Sequence, residues 1–357
     1  MDGAAEPERN GAPFSGAPVA GLDLGTNNCR LLIAAPNGPT LRVLDSFSRA
    51  VRLGDGIEHS GALGMASMDR AVEALKVCAE KLGRATPARV RAVATAACRQ
   101  ASNGAEFADR VQRETGIQLD IISAREESRL AASGCGPLVV EKAEQVLIFD
   151  IGGGSTELIL LDLDHIEPHR RAEAVRDIGG ADARPDALGD VRVIDWVSIP
   201  VGVATLQDKF AEIHDPSRRF GLMTWYFEEL IEGFARPITA EAKAKHLQLI
   251  GASGSVTTIG AAHLGLRRYD RSKVDGLWLP IRAARRIARE LASLSDEARS
   301  HHPSIGTERS KLIVASCAIL SAILNTWPAH ELRVADRGLR EGLIYTQSAE
   351  LAGRGSA

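Results

Sequence analysis

The sequence predicts an α/β protein built from two similar domains, and an internal repeat is the main reason. Residues 20–33 and 146–160 share one pattern: an apolar run, an aspartate, a glycine-containing polar turn and a second apolar run. Such a pattern is typical of two strands joined by a tight turn. Each copy opens a stretch in which apolar strands alternate with segments of helical spacing, and 357 residues suffice for two domains. The repeat therefore indicates two α/β domains that begin with similar hairpins.

Composition and charge exclude several classes of protein. The formal net charge of -3 disfavours wholesale binding of nucleic acid, so any positive charge that meets an anionic ligand must be local. No apolar run approaches the ~20 residues of a membrane span, and residues 1–18 lack the apolar core of a signal peptide. We interpret 1–18 as a disordered tail. The five cysteines form no CxxC pair, and we interpret them as buried thiols of a cytoplasmic protein.

The first domain is predicted over residues 19–142 and the second over residues 143–335. In the first, the hairpin is followed by predicted strands at 43–53, 90–96 and 117–122 and helices at 68–82, 106–115 and 124–132. In the second, the hairpin is followed by predicted strands at 196–200, 247–251 and 332–335 and helices at 227–234, from 256, at 279–294 and at 311–324.

Two further segments complete the predicted organisation. Residues 164–190 are charged and have no clear periodicity, and we interpret them as a mobile insertion between two strands. A last helix is predicted at about 337–350, entered through Asp336 as a cap, and we expect it to pack back on the first domain.

Three turns have the composition of phosphate-binding loops. They are Gly25-Thr26-Asn27-Asn28, Gly152-Gly153-Gly154-Ser155-Thr156 and Gly251-Ala252-Ser253-Gly254-Ser255. Glycine lets the backbone approach a phosphate and permits several N–H groups to converge on one anion, while Ser, Thr and Asn add donors. The third turn also leads into a predicted helix, whose N-terminus favours an anion. One glycine turn is more often a structural bend, but three at strand ends favour phosphate binding. None matches GxxxxGK[ST] or GxGxxG, so neither a P-loop nor a dinucleotide fingerprint is predicted.

Carboxylates accompany these turns. Asp23 and Asp150 each lie just before a glycine, where a strand-end carboxylate can hold hydrated Mg²⁺; one alone would more often cap a turn, but the repeated pair favours metal or water handling. Glu157 lies on a mostly apolar strand, where a carboxylate is costly unless it is paired or functional. For Glu127, a solvated first helical turn and a general base that activates water both stay open. Arg99 is either a phosphate clamp or a surface arginine.

Seven motifs follow one another along the chain: GLDLGTNNCRLLI at 21–33, ATAACR at 94–99, IISAREE at 121–127, FDIGGGSTE at 149–157, SIPVG at 198–202, GASGSVTT at 251–258 and DRGLREG at 336–342. In this order they resemble the motifs of the exopolyphosphatase / guanosine pentaphosphate phosphohydrolase family. The resemblance spans about residues 20–345. It implies two ribonuclease-H-like domains of the actin / sugar-kinase / Hsp70 superfamily, with the active site in the cleft between them.

The resemblance also implies roles for particular residues. Glu127 would be the catalytic base, and Asp150 and Glu157 would position Mg²⁺ and the attacking water, with Asp23 as a further metal ligand. Mn²⁺ is a possible substitute for Mg²⁺. The phosphates would be held by Gly25, Thr26, Asn27, Asn28, Arg99, Gly152, Gly153, Gly154, Ser155, Ser253, Gly254 and Ser255.

Three features depart from the family pattern. Longer members continue into a helical, HD-like domain, so this chain resembles a short, two-domain form. Lys311 stands where the family often has an aspartate, which is expected to alter one side of the cleft. The segment 164–190 is longer than expected and is a candidate cover for the cleft or for a homodimer surface.

The function implied is hydrolysis of the terminal phosphoanhydride of inorganic polyphosphate by water that a glutamate activates. Guanosine pentaphosphate is the alternative substrate, since both compounds end in the same bond. A phosphotransferase acting on ATP is disfavoured, because a water-activating Glu127 would waste ATP. A sensor that binds polyphosphate or an alarmone without turnover has only Lys311 in its support. Neither nucleic acid nor a membrane is an expected partner.

Overall fold

The computed structural model describes residues 16–37, 40–180, 187–241, 246–327 and 329–354. The predicted tail at 1–18 therefore lies almost entirely outside the described residues. Within them the chain forms two mixed β-sheets, each flanked by helices. In this part of the chain, no helix combines the length and the apolar character that crossing a bilayer requires. All five cysteines are buried and unbridged.

The first domain has a sheet of five strands. They are β1 (Val19–Leu24), β2 (Asn28–Asn37), β3 (Thr40–Ala50), β4 (Arg89–Ala94) and β5 (Leu119–Ile121). Its helices are α1 (Ile57–Ser60), α2 (Met65–Ala85), α3 (Ala96–Gln100), α4 (Gly104–Thr115) and α5 (Ala124–Cys135). The core lies between the sheet and the helices α2 and α4, where Leu22 and Leu31 of the sheet share one cluster with Leu75 and Phe107.

The second domain has a sheet of seven strands. They are β6 (Gln145–Ile151), β7 (Thr156–Asp162), β8 (Ala187–Leu188), β9 (Val191–Ile199), β10 (Leu247–Ala252), β11 (Trp278–Pro280) and β12 (Glu331–Ala335). Its helices are α6 (Arg171–Asp177), α7 (Val203–Lys209), α8 (Pro216–Glu241), α9 (Gly254–His263), α10 (Arg271–Val274), α11 (Ile281–Ser293), α12 (Asp296–His301), α13 (Gly306–Arg309) and α14 (Ile313–Thr326). Strand β6 is buried on both faces, because Leu147 and Phe149 join one core cluster and Val146 and Ile148 join another.

The two sheets share one topology, which confirms the predicted duplication. The first has the order β3-β2-β1-β4-β5, and the second contains β9-β7-β6-β10-β12 within its longer series. In both, the opening strand pairs antiparallel with the second strand of its hairpin, which pairs antiparallel with an edge-side strand. On the other side of the opening strand, two further strands run parallel to it: β4 and β5 in the first sheet, β10 and β12 in the second. This order is the ribonuclease-H-like one. The α/β class with two such domains is therefore confirmed.

Two segments differ from their sequence-based interpretation. In 164–190, residues 171–177 form α6, whose Val175 is fully buried, and the buried Arg171 donates from Nη1 to the Glu141 carbonyl at 2.7 Å. Helix α6 is too short to show a periodicity in the sequence; residues 181–186 lie outside the described ranges. The helix predicted at 279–294 begins later, because residues 278–280 pair with β12 as the edge strand β11.

The final helix, α15 (Leu339–Arg354), lies against the first domain. Leu343 shares a cluster with Val93 of β4 and Leu130 of α5, and Gln347 Nε2 donates to the Ala20 carbonyl of β1 at 3.0 Å. The contact between α15 and α5 is close: a Cβ on Gly342 would lie 2.0 Å from the Leu130 carbonyl oxygen. Helix α15 thus follows directly on the second sheet and packs on the first.

Candidate active site

The two repeated hairpins place side chains at corresponding points of the two sheets. Asp23 lies opposite Arg30 in the β1–β2 pair, and Asp150 lies opposite Glu157 in the β6–β7 pair. Both turns close with the same bond, from Gly25 N to Asn28 O and from Gly152 N to Ser155 O, each at 2.9 Å. Arg30 and Glu157 therefore occupy the same position of the repeat with opposite charge. The sequence interpretation missed Arg30, although the repeat aligns it with Glu157.

The turns of the two hairpins face each other across the cleft. A Cβ on Gly154 would lie 2.7 Å from Thr26 Oγ1, so only glycine allows this approach. The start of α7 supports the second turn, because Val203 N donates to Gly152 O at 2.9 Å and Ala204 N donates to Gly153 O at 2.8 Å. The N–H groups of Gly153 and Gly154 have no acceptor among the described residues. They remain available for an anion.

The third turn uses its serine side chains within the protein. Ser253 has a φ of 124°, in the region that favours glycine, and such strained residues cluster at ligand sites. Its Oγ caps α9 by accepting from the N–H groups of Ser255 and Val256. Ser255 Oγ bonds to Ser316 Oγ at 3.0 Å. In the described structure these two predicted phosphate ligands are thus already bonded, whereas Gly254 N–H has no described acceptor.

The three turns line one cavity of about 140 Å³ between the domains. Its wall contains most of the residues predicted from the sequence: Asp23, Gly25, Thr26, Asn27, Asn28, Glu127, Asp150, Gly152, Gly153, Gly154, Ser155, Glu157, Ser253, Gly254 and Ser255. The structure adds Arg30, Thr95, Thr258, Arg309 and Ser316 to this wall. A second cavity of about 190 Å³ shares Asp23, Arg30, Asp150 and Arg309 with the first and extends to Tyr269 and Arg340.

Besides Glu127, three carboxylates in this wall carry raised pKa values. Burial raises the pKa of Asp23, raises that of Asp150 to about 6 and raises that of Glu157 to about 7. The positive charge of Arg30 opposes the shift at both aspartates. Glu157 is held by Ser198, whose Oγ donates to Glu157 Oε1 at 3.0 Å. The side chains of Asp23 and Asp150 accept no hydrogen bond from any described residue.

These carboxylates fit a hydrated Mg²⁺ better than an ion held entirely by protein. Among the described residues, the one cluster whose ligand atoms all lie within 4.8 Å of one another is Asp162, Asp164 and His165. That cluster lies at the opposite end of β7 from Glu157, and Asp162 pairs there with Arg192 at 3.0 Å. Mg²⁺ usually keeps several waters and binds through one or two carboxylates plus substrate phosphates. The cavity carboxylates match that requirement.

Glu127 lies in the first turn of α5, where Ser123 caps the helix by accepting from Glu126 N at 3.2 Å. The Glu127 side chain is 14% exposed, and Arg99 Nη1 donates to its Oε2 at 3.0 Å. Burial raises the pKa of Glu127 well above its ordinary value, and the negative charge of Glu157 adds to the shift while Arg99 opposes it. Glu127 is therefore a desolvated carboxylate and not part of a solvated helical turn.

Three cationic positions differ from the sequence interpretation. Arg309 was not singled out, yet it lines both cavities and donates from Nη1 to Thr258 Oγ1 at 2.9 Å. Arg309 reaches the cavity because α13 lies against α9, a contact that the sequence alone does not predict. Lys311 is exposed and does not line the cavity. Arg309 and Leu312, which lie on either side of it in the sequence, do line the cavity. Arg99 is directed at Glu127 and is likewise absent from the wall.

The chain is thus a two-domain α/β protein whose cleft brings three glycine-containing turns together with buried carboxylates. The model of the Ppx/GppA phosphatase family matches residues 32–350, so the chain belongs to that family and is a phosphoanhydride hydrolase.

Solved structures share the fold over nearly the whole chain. An exopolyphosphatase from Cytophaga hutchinsonii is 24% identical, with 93% of this chain and 98% of that chain covered and a TM-score of 0.77. An Aquifex aeolicus member of the Ppx/GppA family is 25% identical, with coverages of 94% and 98% and a TM-score of 0.71. A second structure of the Aquifex aeolicus PPX-GPPA enzyme is 26% identical, with coverages of 92% and 99% and a TM-score of 0.70.

Proposed function

We propose that this protein hydrolyses the terminal phosphoanhydride of inorganic polyphosphate in the cytoplasm and releases orthophosphate. One observation carries the proposal: Glu127, a desolvated carboxylate, shares a cavity wall with the glycine turns and with Arg30. A carboxylate with a raised pKa is a stronger base than an ordinary one, which suits it to take a proton from water near neutral pH.

The terminal phosphate binds in the cavity that both hairpin turns line. The free N–H groups of Gly153 and Gly154 donate to its oxygens, as do side chains of the first turn such as Thr26. Arg30 forms no hydrogen bond or ion pair with any described residue, so its guanidinium is available for a phosphate oxygen. The rest of the substrate extends into the adjoining cavity, whose wall Arg30 and Arg309 share.

The attacking water lies between Glu127 and the phosphorus. Glu127 accepts one of its protons as the oxygen attacks the phosphorus in line with the anhydride bond. That bond breaks, and its bridging oxygen leaves with the electron pair on the shortened polyphosphate, so that orthophosphate is released. Asp150, with Glu157 and Asp23 near it, would hold Mg²⁺, or Mn²⁺ in its place, and the ion would supply positive charge to neutralise the phosphate oxygens. Since the transferred group needs little covalent help, positioning and charge neutralisation supply most of the rate.

Phosphate release from defined substrates tests the proposed function. With Mg²⁺ present, we expect orthophosphate from medium-chain polyphosphate at a higher kcat/KM than from guanosine pentaphosphate. ATP is tested as a third substrate without an acceptor, because phosphate release in the absence of an acceptor separates a hydrolase from a phosphotransferase. Release mainly from guanosine pentaphosphate would make that compound the substrate and leave the mechanism intact. Tight binding of polyphosphate with no release at any Mg²⁺ concentration would make the protein a sensor.

The assignment of the ion to the cavity gives a second prediction. Asp150→Asn keeps the shape of the side chain and removes its charge. We expect the Mg²⁺ concentration for half-maximal activity to rise by about 10- to 100-fold. Binding of Mn²⁺, followed by electron paramagnetic resonance, is expected to weaken in parallel.

The control for this prediction is Asp164→Asn, which alters the exposed cluster at the far end of β7. It is expected to leave both measurements unchanged. The assignment fails if Asp164→Asn shifts the Mg²⁺ dependence and Asp150→Asn does not.

A further inference from the structure

The contacts of Arg99 do not match those of a phosphate clamp. Its Nη1 donates to two acceptors at once, Glu127 Oε2 at 3.0 Å and the Ile122 carbonyl at 2.9 Å. Ile122 lies just before the capped start of α5, and Glu127 lies in the first turn of that helix. One guanidinium nitrogen therefore joins the end of α3 to both the backbone and the carboxylate at the start of α5.

The cavity wall supports the same interpretation. Thr95 and Ala96, which directly follow strand β4 of the first sheet, line the cavity. Arg99, one helical turn later, is not part of the wall, and its side chain is 25% exposed. The carboxylate of Glu127 thus stands between the Arg99 guanidinium and the site of the terminal phosphate.

We propose that Arg99 is a positioning residue, which holds the Glu127 carboxylate in the orientation required to accept a proton from water. The proposal rests on the function proposed above and assigns Arg99 no contact with phosphate. Glu127 needs such a partner, because its own neighbours across the cavity, Glu157 and Asp23, are both negative. Without Arg99, this repulsion and the loss of one hydrogen bond would let the carboxylate rotate away from the water.

A double-mutant cycle between Arg99 and Glu127 tests the proposal. Orthophosphate release from polyphosphate with Mg²⁺ is measured for Arg99→Ala, Glu127→Gln and the double variant. We expect Arg99→Ala to lower kcat by about 10²-fold, the cost of a small misplacement of a reacting group, with KM nearly unchanged. If Arg99 acts through Glu127, the double variant has the kcat of Glu127→Gln alone.

The opposite result identifies a phosphate clamp. In that case Arg99→Ala raises KM. The double variant then loses kcat/KM by the product of the two factors by which the single variants lose it. The matched control is Arg91→Ala, since Arg91 pairs with Glu126, the residue next to Glu127, and does not contact Glu127. It is expected to keep kcat, which excludes a general effect of losing a cation beside α5. A folding defect in Arg99→Ala would instead lower the free energy of unfolding of this variant, which chemical denaturation followed by circular dichroism measures independently of kcat.

The outcomes also separate this proposal from the one it rests on. If the wild-type protein releases no phosphate from any substrate, both proposals are wrong. If the wild type is active and the cycle is additive, only the role of Arg99 is wrong.

Discussion

Glu127→Gln is expected to lower kcat for phosphate release by about 10²–10⁴-fold, the usual contribution of a general base. Glutamine keeps the size of the side chain and one oxygen that can accept from Arg99, so the cavity should keep its shape. It cannot accept a proton from the attacking water. The affinity of Glu127→Gln for polyphosphate is expected to equal that of the wild type, because the groups proposed to bind phosphate are the turns and Arg30. Steady-state kinetics and equilibrium binding measure the two effects separately.

The neighbouring residue provides the control. Glu126 lies in the same helical turn, but it pairs with Arg91 and its side chain is more exposed, at 27% against 14% for Glu127. Glu126→Gln is therefore expected to leave kcat nearly unchanged. Full activity of Glu127→Gln, or an equal loss in both variants, would show that Glu127 is not the base.

The sequence predicted the parts of the site that depend on short local patterns. An aspartate followed by a glycine turn between two apolar runs specifies a hairpin, and its repetition predicted two α/β domains that begin with similar hairpins. The turns at 25–28 and 152–155 were found this way, and the structure brings both into one cavity with Glu127. Because the two hairpins correspond in the two domains, their turns were expected to face the same cleft.

The rest of the site depends on contacts between distant parts of the chain, which no local pattern encodes. Arg309 enters the cavity because α13 lies beside α9, where it donates to Thr258. The side chain of Ser253 caps its own helix, and the side chain of Ser255 bonds to Ser316. Composition had suggested both serines as phosphate donors. The order of residues could not distinguish a donor that faces the ligand from one bonded within the protein.

The duplicated hairpins also explain how one cleft can hold both a cation and a phosphate. The same position of the repeat is Arg30 in the first hairpin and Glu157 in the second. Arg30 offers positive charge to phosphate oxygens, and Glu157 adds negative charge beside Asp150 for a metal ion. In the proposed mechanism, this difference of one residue between two similar hairpins gives one cleft a group for the phosphate and a group for the metal ion.

The packing of α15 on α5 gives the prediction with the largest expected effect on stability. A Cβ added by Gly342→Ala would lie 2.0 Å from the Leu130 carbonyl oxygen, closer than any real contact, and both groups belong to helix backbones. The helices must separate to accommodate it. We expect a loss of about 1–3 kcal/mol or more in the free energy of unfolding, as for other overpacked sites. Chemical denaturation followed by circular dichroism measures it.

A second helical glycine supplies the matched comparison. Gly83 lies within α2, and a Cβ there would have no atom within 4 Å. Gly83→Ala is therefore expected to stabilise the protein by about 0.5–1 kcal/mol, since alanine loses less conformational entropy in a helix. Because α5 also carries Glu127, a shift of this helix in Gly342→Ala should lower kcat as well as stability, whereas Gly83→Ala should leave kcat unchanged. Equal stability of the two variants would show that α5 and α15 do not meet at Gly342.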